Sequence, residues 1–108
     1  IGGIMKRKMY EYVTCKDGFR VSIQGNETGY CNPRDNVGPY IEVELGFPNR
    51  VDNLILGYAE NPDEPCNTVY GYVPSEVVLE MILKHGGMVS GDMPPMVVGY
   101  SNHFPQED

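Results

Sequence analysis

Three cysteines (Cys15, Cys31, Cys66) and two histidines (His85, His103) are the side chains in this chain best suited to nucleophilic or metal chemistry. A Cys-His nucleophile needs an imidazole beside the thiol to draw off its proton, and neither histidine lies in a local signature that would place it there. The cysteines lie 16 and 35 residues apart, whereas structural zinc sites bring in their ligands as close pairs. Glu60, Asp63 and Glu64 could face a hard cation, but they lack the spacing and central glycine of an EF-hand, and Pro62 and Pro65 stiffen the loop. Glu42 and Glu44, two apart on an expected strand, share a face. They would act as an acid/base pair only if burial split their pKa values, and their expected place is the outer face, where they protect an edge and aid solubility. No phosphate-cradling glycine run stands between a strand and a helix, and Gly86-Gly87 follows a helix instead of opening one. The reading is a non-enzymatic chain with no cofactor and no metal.

Two constellations remain as binding candidates. Residues 25–39 form the longest run of turn formers, a length usually reserved for functional or mobile loops. Arg34 is the one cation deep inside that loop, so Tyr30, Arg34 and Asp35 are the candidate ligand contacts, with Arg34 as an anion clamp for a small molecule or nucleotide. Tyrosine supplies the other constellation. Four of the eight tyrosines follow glycine directly (Tyr30, Tyr58, Tyr72, Tyr100), a pattern expected where a ring packs over bare backbone at a bulge or strand end.

The elements that must position these residues read mainly as sheet. Val, Ile, Tyr, Phe and Thr abound, and alanine occurs once, at Ala59. Met9 to Thr14 and Phe19 to Gln24 flank Lys16-Asp17-Gly18. Turning on Asp17-Gly18 sets Thr14 opposite Val21 and Tyr12 opposite Ile23 on the buried face, with Cys15 opposite Arg20 outside. Tyr40 to Leu45 alternates with Ile41, Val43 and Leu45 inward and Glu42 and Glu44 outward. Leu54 to Ala59 reads as a fourth strand, although a short helix capped by Asn49 competes for Val51 to Leu56. Val69 to Val73 is a fifth. Pro74 and Gly86-Gly87 bound one helix, about Ser75 to His85, with Val77, Val78, Met81 and Ile82 as its apolar stripe. Leu79 and Leu83 widen that stripe beyond what one sheet face needs. Beyond Met88 the chain reads as loop, with Val97 and Val98 as candidates for a last strand.

These elements make an α+β fold: an antiparallel meander of about five strands with one C-terminal helix packed on one face, a single domain over residues 1–108. Residues 1–5 read as a disordered tail or cloning remnant and 99–108 as a flexible tail. One helix covers one face, so the other is expected to show Tyr40, Tyr70 and Tyr72 to water, rimmed by Glu42 and Glu44. Such a face marks an association surface, either a homo-oligomer or a partner protein.

Charge sharpens the partner. Net charge is −7, divided into +3 over residues 1–34 and −10 over residues 35–108. Two-thirds of the chain lacks the clustered Lys and Arg that displace phosphate counterions, which argues against nucleic acid and against an anionic membrane. No stretch approaches the ~18 apolar residues of a spanning helix. An odd number of widely spaced cysteines fits reduced thiols and a cytoplasmic location. The expected function is a small acidic binding protein, of the accessory or inhibitor type known from viruses and mobile elements, acting on a basic protein surface. The alternative is a small-molecule or nucleotide binder, with the ligand held by the 25–39 loop or at a homo-oligomer interface.

Overall fold

A computed structural model describes residues 8–99. The expectations for residues 1–5 and, apart from Gly99, for 99–108, with Tyr100 and His103, lie outside the described residues. Five strands form one antiparallel sheet: β1 (Val13–Cys15), β2 (Arg20–Gln24), β3 (Glu42–Gly46), β4 (Val69–Pro74) and β5 (Met88–Ser90), in the order β4-β3-β2-β1-β5. One helix, α1 (Ser75–Lys84), joins β4 to β5. The expected class, a five-stranded antiparallel sheet with one helix, is therefore the observed one.

The first hairpin differs from the expected register by one residue. Cys15 N–H donates to Phe19 O (2.8 Å) and Gly18 N–H to Cys15 O (2.9 Å), so three residues, Lys16 to Gly18, make the turn. Gly18 sits at φ 92°, the left-handed last position that such a three-residue turn requires. Val13 then faces Val21 and Thr14 faces Arg20. Because side chains alternate, this one-residue slip exchanges the faces of β1: Val13 and Cys15 enter the core and Thr14 moves outward.

Three further expectations are corrected. Leu54 to Ala59 is not a strand: Leu56–Tyr58 forms a 3-10 turn. Asp52, not Asn49, organises its approach, since Asp52 Oδ1 accepts from Leu54 N–H (2.8 Å) and Asp52 O from Ile55 N–H (3.2 Å). Asn49 is occupied in extending β2, its Oδ1 accepting from Arg20 N–H (2.9 Å). The fifth strand is Met88–Ser90, read as loop from sequence, while Val97 and Val98 form none and the chain there meets β3's approach at a parallel bridge between Met96 and Tyr40.

The helix follows its signals. Ser75 Oγ donates to Tyr40 O (2.8 Å) at its start, and Gly87 N–H returns to Ile82 O (2.9 Å) at its end. Val78, Met81 and Ile82 pack with Val13, Phe19, Val21, Ile23, Val43, Leu45 and Val73 in one core. Leu79 and Leu83 project outward, Leu83 with 75% of its surface exposed.

The tyrosines depart most from expectation. Tyr40 (1% exposed) and Tyr70 (0%) are core residues, their hydroxyls donating to Asp35 O (2.8 Å) and Pro65 O (2.5 Å). Burial pushes both phenols up to about 12. Glu42 is wholly buried as well, opposite Pro74 and beneath the crossing of the 25–39 loop, which pairs Asn32 with it. The exposed face expected from Tyr40, Tyr70 and Glu42 therefore does not exist: the long loop folds back over Tyr40 and Glu42, and the register of β4 sets Tyr70 opposite Leu45, on the core face.

Candidate functional site

That loop is tied down along its length. Asn26 Oδ1 accepts from Thr28 N–H (3.0 Å), Glu27 and Asn36 exchange two hydrogen bonds, and Asn32 N–H donates to Glu42 O (3.0 Å). Cys31 is buried there with its thiol directed at Asn26 O (3.1 Å), and burial raises its pKa. Asp35 Oδ1 accepts from Gly38 N–H (2.8 Å) and Val37 N–H (3.0 Å), bonds that hold its carboxyl below the usual carboxylate range. Such a carboxylate is spent on shaping a turn. Arg34 reaches back to Thr28 O (3.3 Å). The expected clamp of Tyr30, Arg34 and Asp35 is thus one loop, with its two charged groups already engaged internally.

Tyr30 is where the loop meets the sheet. Its N–H donates to Glu44 Oε1 (2.9 Å) and its carbonyl accepts from Tyr72 N–H (2.9 Å). Between Val43 and Leu45 the β3-β4 register shifts, which leaves Gly71 and Tyr72 as a bulge in β4. Tyr72 takes φ 52°, a conformation that costs a tyrosine about 1 kcal/mol or more. Gly71 passes so close under Tyr30 that a Cβ there would lie 3.2 Å from Tyr30 Cβ. The two rings stand 6.0 Å apart at 41°, and the Arg34 guanidinium lies 6.0 Å from the Tyr30 ring. Tyr30, half-buried Tyr72, Glu44 and Arg34 therefore form one patch. It joins Tyr72 and Glu44 from one expected list with Tyr30 and Arg34 from the other, and leaves Tyr40, Glu42 and Tyr70 in the interior.

A second constellation escaped sequence reasoning. His85, just past α1, places Nδ1 2.6 Å from Asp17 Oδ2 and Nε2 2.5 Å from Asp52 Oδ2. Its ring stacks on Phe19, with centroids 4.0 Å apart and planes within 6°. Lys84 Nζ meets Asp52 Oδ1 (3.1 Å) and the Arg50 guanidinium meets Asp17 Oδ1 (2.8 Å). Each ring nitrogen thus faces a carboxylate oxygen. Both nitrogens are occupied by the two aspartates, and none of the three cysteines hydrogen-bonds to the ring. Cys15, on the adjoining strand, has its thiol pKa raised by burial. This junction fastens the first hairpin turn, the 50–54 segment and the end of α1 together. Asp17, Asp52 and His85 are dispersed in the chain, so no local spacing could have announced it.

The junction sets an acid limit. The His85 hydrogen bond and that from Phe19 N–H hold Asp17 below the usual carboxylate range. For Asp52, burial is the largest influence and acts upward, but bonds from His85, Leu54 N–H and Lys84 together leave it lowered. Lowered folded-state values contribute stability above the unfolded carboxylate pKa and lose it as pH falls through the folded one. Urea unfolding is expected to give a stability that declines as pH falls below about 4. In Asp52→Asn that decline should be shallower; an unchanged profile would show that the junction does not govern it.

Among the described residues, no group of three or more His, Cys, Asp or Glu could hold a metal ion, and no helix is long and apolar enough to cross a membrane. The chain matches no known protein family, no curated protein and no solved structure.

Proposed function

We propose that the chain is a small non-enzymatic binding protein that engages a basic protein surface through the Tyr30-Tyr72 patch. One observation carries the reading: the β4 bulge that holds Tyr72 in a left-handed conformation against Tyr30. Bulges re-aim side chains, and backbone strain persists where the surroundings impose it, often at functional positions. Two tyrosines fixed by backbone hydrogen bonds present apolar area at little further entropy cost, which suits a recognition anchor. Glu44 and the one cation Arg34 border the patch, on a chain whose residues 35–108 carry a net −10. A basic partner is therefore favoured over a second copy of the chain, since two copies at −7 repel each other. A reduced cytoplasmic setting accords with three free cysteines. An accessory or inhibitor role of viral or mobile-element type belongs to the same reading and rests on size and charge. The loop-held small molecule has less support, because Arg34 and Asp35 are engaged within the loop.

Tyr72→Gly relieves the φ 52° strain while removing the ring, so its stability is expected to stay within about 1 kcal/mol of the parent. Combined with Tyr30→Ser, it should release a stoichiometric, salt-sensitive partner captured by the immobilised parent protein. Undiminished capture by this folded double variant would sink the proposal. Light scattering on the parent protein separates off the homo-oligomer: a dimer dissolved by the same double variant would make the second copy the occupant instead.

A further inference from the structure

The register that carries Thr14 out of the core builds a different surface at the other end of the sheet. Thr14 is the direct neighbour of Arg20 on β2 and of Ser90 on β5. Directly opposed residues share a face, so one guanidinium and two hydroxyls stand in a single row across three strands. Tyr12, two residues before Thr14, lies on the same face. Arg20 Cζ sits 4.0 Å from the Tyr12 ring centroid, a stack that steadies the guanidinium plane. With Glu11 and Gly91 these residues line an open recess of about 450 Å³. Arg50 and Lys84 each meet an aspartate, whereas among the described residues Arg20 makes no ion pair.

We propose that this recess binds one oxyanion group, the terminal phosphate or carboxylate of a small molecule. The Arg20 fork donates to two of its oxygens and the Thr14 and Ser90 hydroxyls donate to what remains. Glu11 on the rim balances the charge of Arg20, so the recess suits a single oxyanion and not the polyanionic backbone of a nucleic acid. This site shares no residue with the tyrosine patch and stands or falls independently of it.

Titration of nitrogen-labelled protein with inorganic phosphate, and separately with acetate, at ionic strength held constant with sodium chloride, tests the site. Amide signals of Thr14, Arg20 and Ser90 are expected to shift to saturation in at least one titration, and the arm that saturates identifies the oxyanion. Arg20→Gln should abolish saturation. Arg20→Lys, which keeps the charge and loses the fork, should weaken binding about tenfold. Arg20 is exposed, so both variants retain the fold, which their unchanged signal dispersion verifies. Linear, non-saturating shifts in both titrations of the parent protein, or parent-like saturation in Arg20→Gln, would overturn the site.

Discussion

Asp52→Ala is expected to cost about 3–5 kcal/mol of folding stability, the range for removing one member of a buried ion pair. The Asp52 side chain is fully buried while it meets both His85 and Lys84, and its Oδ1 also accepts the Leu54 N–H in the approach to the 3-10 turn. Truncation leaves His85 Nε2 facing a hole and removes the acceptor of the Leu54 N–H in the same step. For a domain of this length that is a third or more of the stability, and the melting temperature should fall by about 12 °C or more. Asp17→Ala provides the contrast. Its carboxylate is 44% exposed, so water replaces much of what His85 and Arg50 supply, and the loss should be clearly smaller than that of Asp52→Ala. Urea unfolding of the two variants side by side decides the matter. Equal losses would mean that the buried half of the junction contributes no more than the exposed half.

Gly91→Ala is the second large effect, and its cause is steric. Gly91 lies at φ +105°, and a Cβ built there would stand 2.1 Å from Tyr12 O and 2.7 Å from Val13 Cα. Both obstacles are backbone of the strand beside it, which cannot yield without disturbing the β1-β5 pairing. Strain and overpacking together should cost about 3 kcal/mol or more. Gly46→Ala is the control: its Cβ would make ordinary contacts at 3.8 Å and beyond, with Val69 and Ser22. That variant should stay within about 1 kcal/mol of the parent. If Gly91→Ala unfolds at the same urea concentration as Gly46→Ala, the close passage of residue 91 beneath Tyr12 is wrong. The same passage forms one wall of the Arg20 recess, so a folded Gly91→Ala protein would also alter that surface.

Much of the architecture was legible because the signals that carry it are local. Pro74 and Gly86 bracket α1 through a missing donor and a positive φ, and the alternation at Val21, Ile23, Val43 and Leu45 marks core faces. Both act within a few residues. The first hairpin shows the limit of such reading. Asp17-Gly18 correctly marked a turn, but a two-residue and a three-residue turn fit the same letters and differ by one step of register. That step decided whether Thr14 is core or, beside Arg20 and Ser90, part of a polar row. The tyrosines failed for another reason. Alternation assigns a side chain to a face and is blind to whether another segment later covers that face. The 25–39 loop does so here, and Tyr40 and Glu42 became interior.

The sequence by itself determined the class of fold, the helix and its ends, the place of the first turn and the acidic balance of residues 35–108. These follow from backbone preferences and composition, which need no knowledge of distant partners. Only the tertiary structure decided that Asp17, Asp52 and His85 meet, that Tyr30 and Tyr72 share a patch, and that Met88 to Ser90 is a strand. Each of these depends on contacts between segments separated by tens of residues, and such contacts are set by closure of the whole chain around its core.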